Sequence, residues 1–235
     1  MQLFRSYLFM AGAALTIFIL FFFLLASQVS NTMRQQSQRI WAKTVLIWLK
    51  ITCNLDHKVI GLENIPKDNA PFIILARHQS AWETIGLQVI FEQPITWIAK
   101  RSFIFVPIAG WCYFLTHSIT INRSASRKSV EYMKTKGTDR LRSGEKIVIF
   151  PEGTRVPYGK IGRFKRGGSI LSEYSGFPII PVAHNAGKFW PRKSTLKKAG
   201  TITVKIGPLI SPENKSNKQI NKEVVDWMKQ AMKEI

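Results

Sequence analysis

An apolar run near the start constrains this chain more than any other feature. Residues 7–26 read YLFMAGAALTIFILFFFLLA and contain no charged side chain. A helix of about 20 residues rises about 30 Å, close to the thickness of the hydrocarbon core of a bilayer. The run therefore predicts a membrane-associated helix, which either spans the bilayer or enters it as part of a hairpin. A cleaved signal peptide is the alternative, but its apolar region is usually only ~7–15 residues long.

A second helical pattern follows at residues 36–52. Five apolar side chains form one stripe of this helix, and the basic residues lie largely off it. The stripe consists of Ile40, Trp41, Val45, Trp48 and Leu49. This pattern favours a helix at the membrane interface with its tryptophans at head-group depth. The alternative is a core helix with a basic outer face.

Basic residues are unevenly distributed about the apolar run. Only Arg5 precedes it, whereas several follow it closely. These are Arg34, Arg39, Lys43 and Lys50. Because cytoplasmic flanks carry the excess of Lys and Arg, the imbalance predicts that the rest of the chain lies on the cytoplasmic face of a membrane. We expect a membrane-associated two-helix unit at residues 1–55 and one further domain at residues 56–235.

The overall charge narrows the class of partner. Lysine and arginine total 34 against 14 acids, a formal charge of +20, so the surface draws anions toward it. Anionic lipids and phosphorylated substrates fit this field. Nucleic acid is not expected as a partner, because no nucleic-acid-binding motif is recognisable. Cys53 and Cys112 have no Cys or His spacing typical of a metal site, and we expect two free thiols and no metal.

From about residue 56, apolar β-branched runs alternate with helical patterns. The predicted strands are residues 71–77, 95–99, 118–122, 146–150, 178–184 and 201–206. The predicted helices are residues 80–91 and 126–141 and a C-terminal amphipathic helix marked by Ile220, Val224, Trp227 and Ala231. Strands separated by helices imply right-handed crossovers. The sequence therefore predicts an α/β fold with a largely parallel mixed sheet flanked by helices.

Polar residues follow three of these strands directly, at residues 77–80, 151–155 and 184–185. Since the carboxyl ends of parallel strands meet at one edge of a sheet, we expect these three segments to converge. Three histidines lack an acid at suitable spacing and are interpreted as structural. These are His57, His117 and His184.

The first segment belongs to the stretch RHQSAWET, residues 77–84. His78 and Glu83 would point about 140° apart on one continuous helix, so they can pair only if His78 lies before the helix begins. A carboxylate bonded to one imidazole nitrogen leaves the other free to accept a proton. Ser80 and Glu83 also have the spacing of a capping box, which is the structural alternative. A hydrolase that uses Ser80 lacks support, because no G-x-S-x-G elbow occurs.

The second segment, FPEGTR at residues 150–155, is suited to binding an anion. Gly153 can adopt positive φ among main-chain N–H groups, and Arg155 has a guanidinium that matches phosphate oxygens. We expect Glu152 to orient Arg155 or to accept from a substrate hydroxyl. The alternative is a tight turn with a Glu152–Arg155 ion pair.

Four blocks in fixed order together resemble the glycerolipid acyltransferases of the bacterial lysophosphatidate type. The first is HQSAWE at residues 78–83, with glutamate where that family has aspartate. The second is AKRSFIFVPIAGWCYFLTHSITINRS at residues 99–124, with Arg123 at the arginine position of the family. The others are FPEGTR and IIPVAHNAG, residues 150–155 and 179–187.

The resemblance implies that His78, paired with Glu83, is the general base that activates the 2-hydroxyl of 1-acyl-glycerol-3-phosphate. The activated hydroxyl then attacks an acyl thioester and phosphatidate forms. The resemblance also implies a set of residues that bind the acceptor phosphate, namely Lys100, Arg123, Glu152, Gly153, Thr154 and Arg155. The extra methylene of Glu83 requires a shifted backbone or a bent rotamer, and capping competes for its carboxylate.

The same resemblance implies no metal and no cofactor, with acyl-CoA or acyl-acyl carrier protein as cosubstrate. The expected partners are lysophosphatidate, the thioester donor and anionic membrane lipids. The expected location is the inner membrane of a bacterium, with the domain on its cytoplasmic face. Another lysolipid acceptor, or a non-catalytic protein that binds anionic lipid, is the alternative. The apolar residues 103–115 are expected either to line a groove for the acyl chain or to form core.

Overall fold

The structure is a computed structural model that describes residues 1–68, 70–91, 94–122 and 126–235. Within these residues, seven strands form one sheet in the order β1-β7-β6-β2-β5-β3-β4. The strands are β1 Leu55–Ile60, β2 Ile73–Ala76, β3 Ile95–Lys100, β4 Ile119–Ile121, β5 Lys146–Ile149, β6 Ile179–His184 and β7 Gly200–Ile206. The six predicted strands are all present, whereas β1 was not predicted.

Most of the sheet is parallel. Strands β6, β2, β5, β3 and β4 run in one direction, while β7 is antiparallel to β6 and β1 is parallel to β7. The predicted fold class, a largely parallel mixed sheet with flanking helices, is confirmed. The five parallel strands bring their carboxyl ends to one edge of the sheet, which we call the carboxyl edge.

Helices cover both faces of the sheet. They are α1 Gln2–Ala26, α2 Asn31–Cys53, α3 Glu83–Ile90, α4 Ala109–Leu115, α5 Ser126–Arg142, α6 Gly167–Ser175, α7 Ala186–Phe189 and α8 Asn217–Ala231. The predicted C-terminal helix is α8, which begins with a complete capping box of Ser216 and Gln219. Helix α3 begins at Glu83 rather than at Ser80, and α4, α6 and α7 were not predicted.

The alternation of side chains along the strands divides the core into two layers. On β2, Ile74 and Ala76 pack toward α2 and α3, while Ile73 and Leu75 pack toward α5, α6 and α8. Strand β2 is buried on both faces, as its unbroken apolar sequence predicts for a central parallel strand. Its end is therefore fixed between two packed layers.

Helices α1 and α2 form an antiparallel hairpin that packs on the domain. Helix α2 buries Val45, Leu49 and Cys53 in the same core layer as the sheet. Ile40, which the predicted stripe included, is instead exposed. Since α2 packs on both α1 and the sheet, the structure favours the alternative of a core helix over one lying at the interface. The division of the chain at residue 55 stays a prediction.

Helix α1 lies along the domain. At its start, the Gln2 side chain donates to the Lys197 carbonyl at 2.6 Å, and just beyond its end Gln28 donates to the Leu115 carbonyl at 3.2 Å. Within the described residues, one helical stretch, Gln2–Val29, is long and apolar enough to cross a membrane. Only 17% of its most apolar window is buried, so α1 presents a large apolar face outward.

Candidate active site

The three polar segments that were predicted to converge do so at the carboxyl edge. The Val156 N–H, just after the FPEGTR stretch, donates to the His78 carbonyl at 2.7 Å. From the end of β6, His184 Nε2 donates to the Arg77 carbonyl at 2.9 Å. The Gln79 side chain accepts from the main chain of the turn that begins α7. The segments after β2, β5 and β6 thus form one bonded rim.

His78 and Glu83 pair as the sequence predicted. His78 Nδ1 lies 2.8 Å from Glu83 Oε1, with the Glu83 side chain fully buried and 17% of the His78 side chain exposed. The pair is possible because α3 begins at Glu83, so that His78 lies in the preceding turn and faces the first helical residue. The role of the pair in catalysis is a prediction.

Glu83 also holds the main chain of the turn. Its Oε1 accepts from the N–H groups of Gln79 and Ser80 at 2.8 Å each. The bond from the Ser80 N–H to Glu83 is one half of the expected capping box. The other half is absent, because the Ser80 hydroxyl accepts from the Trp82 N–H at 3.1 Å instead of from the N–H of Glu83. Glu83 therefore both pairs with His78 and supplies this half of the cap. Since Ser80 is fully buried and engaged in this turn, it is not placed to act as a nucleophile.

The electrostatics of Glu83 fix the tautomer of His78. Complete burial acts to raise the pKa of the Glu83 carboxyl, but the hydrogen bond from His78 and the nearby His184 outweigh it, and the pKa lies below its ordinary value. A carboxylate only accepts hydrogen bonds, so Nδ1 of His78 carries the hydrogen and Nε2 has a free lone pair. Among the described residues, Nε2 has no hydrogen-bond partner. Phe150 stacks on the ring at 4.1 Å between centroids, which restricts its rotation.

Glu152 forms an ion pair with Arg77 rather than with Arg155. Arg77 Nη2 lies 3.1 Å from Glu152 Oε1, and neither side chain is exposed. Glu152 Oε2 also accepts from the His78 N–H at 2.8 Å. Burial raises the pKa of Glu152, although the Arg77 guanidinium acts against that rise. The alternative of an ion pair between Glu152 and Arg155 is therefore wrong.

The FPEGTR turn offers anion-binding groups. Gly153 has φ of 68°, as the sequence predicted, and its N–H donates to the Phe150 carbonyl at 3.0 Å. With the Val156 N–H bonded to His78, the free main-chain donors of the turn among the described residues include those of Thr154 and Arg155. The Arg155 guanidinium has no hydrogen bond or ion pair there either. These groups stay predictions for the phosphate site.

Three other cations are relevant to this edge. Lys100 is the exposed last residue of β3, which pairs with β5. Arg123 lies outside the described residues. Arg192 places Nη1 3.4 Å from the Thr154 hydroxyl and thus borders the turn. No local pattern indicated this contact, because it joins residues 38 positions apart.

His184 supports the site from behind. It is fully buried, donates from Nε2 to Arg77 and accepts at Nδ1 from the Ala186 N–H at 3.3 Å. Burial lowers the pKa of His184 below its ordinary value of 6.5, so the ring is neutral. These contacts agree with its interpretation as a structural histidine, which stays a prediction. No three His, Cys, Asp or Glu side chains are grouped to hold a metal ion anywhere in the described part of the chain.

The apolar residues 103–115 form a short 3-10 turn, Arg101–Phe105, and helix α4. Cys112 packs under α1, whereas Phe105, Trp111 and Phe114 are exposed. Because these aromatic side chains are exposed, the alternative that they form core is wrong for them. A groove for the acyl chain stays a prediction.

The chain is similar to known proteins over most of its length. Residues 56–185 match the family model described as Acyltransferase. The chain is 39% identical over 193 residues to a 1-acyl-sn-glycerol-3-phosphate acyltransferase of Pseudomonas aeruginosa, which covers 80% of this chain and 74% of the relative. It is 31% identical over 206 residues to the enzyme of the same name from Saccharomyces cerevisiae, with 85% and 67% of the two chains covered.

A solved structure also resembles the fold. It is the crystal structure of the 1-acyl-sn-glycerophosphate (LPA) acyltransferase PlsC from Thermotoga maritima, with a TM-score of 0.81 and 26% sequence identity. The match covers 99% of this chain and 95% of the other, so it includes the α1–α2 hairpin as well as the sheet.

Proposed function

We propose that His78 is the general base of this chain, which belongs to the acyltransferase family and is an enzyme of the 1-acyl-sn-glycerol-3-phosphate type. The acceptor is then 1-acyl-glycerol-3-phosphate and the donor an acyl thioester. The observation that carries the proposal is the His78–Glu83 pair at the carboxyl edge, in which 17% of the His78 side chain is exposed and Nε2 has no partner among the described residues.

In the proposed reaction, His78 Nε2 takes the proton of the glycerol 2-hydroxyl while its oxygen attacks the thioester carbonyl. Glu83 stabilises the imidazolium that results, because its carboxylate accepts from Nδ1 at 2.8 Å. The tetrahedral intermediate collapses with loss of the thiolate, which takes the proton from Nε2. The products are phosphatidate and a free thiol. General-base catalysis of this kind contributes roughly 10²–10⁴-fold to the rate.

The acceptor phosphate is proposed to bind at the FPEGTR turn. Arg155 offers a planar pair of donors, and the main-chain N–H groups of Thr154 and Arg155 lie beside it. Val156, which follows Arg155 in the chain, donates its N–H to the His78 carbonyl. A phosphate bound at this turn therefore lies close to the proposed base. Arg192 and Lys100 supply further positive charge. The acyl donor is expected to approach from the side of the apolar residues 103–115.

Purified protein with labelled lysophosphatidate and acyl-CoA tests the activity. We expect labelled phosphatidate from the wild-type protein and a loss of at least about 10²-fold in His78→Ala, whose folding is checked by its thermal midpoint. Full turnover by His78→Ala would reject the assigned base. No turnover with any thioester would instead favour a protein that only binds anionic lipid. Repeating the assay with acyl-acyl carrier protein, and with other lysolipids, decides the donor and the acceptor.

The proposed location is the cytoplasmic face of the bacterial inner membrane. The outward apolar face of α1, together with the exposed Phe105 and Phe114 near α4, supports immersion in one leaflet. The contacts of α1 with the domain near both of its ends support a hairpin over a helix that leaves the domain to cross the bilayer. Treatment of inverted membrane vesicles with protease should degrade the domain, whereas protection in these vesicles would contradict this orientation.

A further inference from the structure

The buried pair of Arg77 and Glu152 lies directly behind His78, whose N–H donates to Glu152. Arg77 approaches Glu152 with two nitrogens, Nε at 3.3 Å from Oε2 and Nη2 at 3.1 Å from Oε1. Nη2 also donates to the Lys160 carbonyl at 2.7 Å. Neither side chain is exposed, so an acceptor molecule has no open path to this carboxylate.

The carboxylate of Glu152 is also fully used. Besides the two contacts from Arg77, Oε2 accepts from the His78 N–H at 2.8 Å and Oε1 from the Gly162 N–H at 3.3 Å. A carboxylate has about four lone-pair sites. Four donors therefore leave none for the hydroxyl or the phosphate of a substrate.

The ion pair of Arg77 and Glu152 helps to fix the main chain of His78. The His78 N–H donates to Glu152, and the His78 carbonyl accepts from the Val156 N–H at 2.7 Å. Arg77, the residue before His78, has its own carbonyl fixed by His184. With the ring fixed between Glu83 and Phe150, every group of His78 except Nε2 has a partner.

From these contacts we infer that Arg77 and Glu152 are positioning residues, which hold His78 at the reacting hydroxyl and do not bind the acceptor. This inference rests on the proposed function, in which His78 is the base. It assigns Glu152 a different role from the phosphate binding that the resemblance implies, and it assigns a role to Arg77, which lies outside the four blocks. A displacement of about 1 Å of a catalytic group can cost 10²-fold in rate, so small losses of alignment are measurable.

Steady-state kinetics separate the two roles of Glu152. In Glu152→Gln and in Arg77→Lys we expect kcat to fall by about 10–100-fold, with KM for lysophosphatidate changed by less than about 3-fold. The double variant should lose no more than about the larger single loss, because both act through one unit. A KM raised by more than 10-fold with kcat retained would show that Glu152 binds the acceptor and would overturn the inference.

A matched control comes from the ion pair of Arg140 and Glu145, whose atoms lie 2.8 Å apart just before β5. Glu145 is also nearly buried, and it lies at the opposite edge of the sheet from His78. Glu145→Gln and Arg140→Lys should lower the thermal midpoint while kcat stays within about 2-fold. If the control variants lose kcat as strongly as the Glu152 variants, the loss reflects general destabilisation and the positioning role is rejected.

A structure of the wild-type protein with lysophosphatidate and no donor tests the inference without any variant. We expect the acceptor oxygens to contact Arg155 and to lie beyond hydrogen-bond distance of both Glu152 oxygens. A direct contact with Glu152 would overturn the inference, even if Glu152→Gln fails to fold. Failure of the proposed function looks different, since wild-type protein would then show no turnover that depends on His78.

Discussion

Two buried glutamates on either side of β5 have similar surroundings and different consequences. Glu145 precedes the strand and pairs with Arg140, while Glu152 follows it and pairs with Arg77. Among the described residues, Glu145 accepts only from side chains, those of Arg140 and Thr96. Glu152 accepts main-chain N–H groups as well, one of them from His78. The same type of ion pair thus joins elements at one edge and holds the main chain of His78 at the other.

The difference follows from the direction of the strands. At the amino edge, the chain enters β5 from α5, and Glu145 meets side chains of neighbouring elements. At the carboxyl edge, three parallel strands are followed by turns whose main-chain N–H and carbonyl groups need hydrogen-bond partners. Glu83, Glu152 and His184 supply those partners, and the order they impose leaves one nitrogen, Nε2 of His78, facing outward. The proposed function of this edge would therefore depend on the order of its main chain.

The largest expected difference between the edges comes from removing one charge at each. Glu83→Gln should reduce kcat by about 10²-fold, because an amide stabilises the imidazolium much less than a carboxylate does. Some stability should be lost too, since the amide NH₂ meets the Ser80 N–H, which now donates to Oε2 at 3.1 Å. Steady-state assays and thermal unfolding measure the two effects.

The matched variant for this prediction is Glu145→Gln at the amino edge. It should lose stability of similar size, because its carboxylate is also buried and paired with an arginine. Its kcat should stay within about 2-fold of wild type. Wild-type turnover by a folded Glu83→Gln protein would contradict the assignment of the pair as base and orienting acid.

The next largest effect is a pH dependence of stability from His184. Its pKa is lowered by burial from an ordinary value of 6.5, so the unfolded chain binds a proton that the folded chain does not. Stability from this group is full above pH 6.5 and is lost as pH falls toward the folded pKa. One group can lose at most about 1.4 kcal/mol per pH unit, or about 2 kcal/mol between pH 6.5 and 5.

Thermal or denaturant unfolding between pH 7.5 and pH 5 measures this loss. His57, whose pKa burial also lowers, contributes in the same direction, so the informative comparison is with His184→Gln. That variant should be less stable at pH 7.5 and should show a shallower decline toward pH 5. An unchanged slope in His184→Gln would mean that the buried ring is not the titrating group.

The sequence predicts the sheet well and the frame of the site poorly. Strand β2 is a continuous apolar run that only a buried strand or a buried helix can form, and its neighbours share this signal. Strand β1 was missed because Asp56, His57 and Lys58 interrupt its pattern. Helix α7 was missed because it has only four residues. Patterns of this kind record burial along one element.

The site shows the same limit. The pairing of His78 with Glu83 is local, five positions apart, and was predictable from helix geometry. The pairing of Arg77 with Glu152 joins residues 75 positions apart. No local sequence pattern distinguishes either of them from a solvated charged residue. Register decides this pairing, because β2 and β5 are adjacent strands whose ends are level. No reading of either segment alone contains that information.

A smaller effect is expected for the acceptor phosphate. Arg155→Lys keeps the charge and removes the paired donors, so KM for lysophosphatidate should rise by about 10-fold with little change in kcat. The control is Arg163→Gln, at an exposed arginine between β5 and α6, which should change KM by less than about 2-fold. Equal effects of the two variants would indicate a diffuse field rather than a phosphate site.

The smallest effect is expected for the exposed aromatic side chains of Phe105 and Trp111, the second of which contacts Phe21 of α1. If these side chains line the path of the acyl chain, their replacement by alanine should change the relative turnover of short and long acyl donors by about 3-fold. The effect is small because one methylene group in an apolar pocket contributes as little as about 1 kcal/mol to discrimination. Tyr132→Ala, on the exposed surface of α5, is the matched control. An unchanged chain preference in both Phe105→Ala and Trp111→Ala, with weaker binding to anionic vesicles, would assign this surface to the membrane alone. The carboxyl edge would then select the head group of its substrate, while the bilayer would determine which acyl chains reach it.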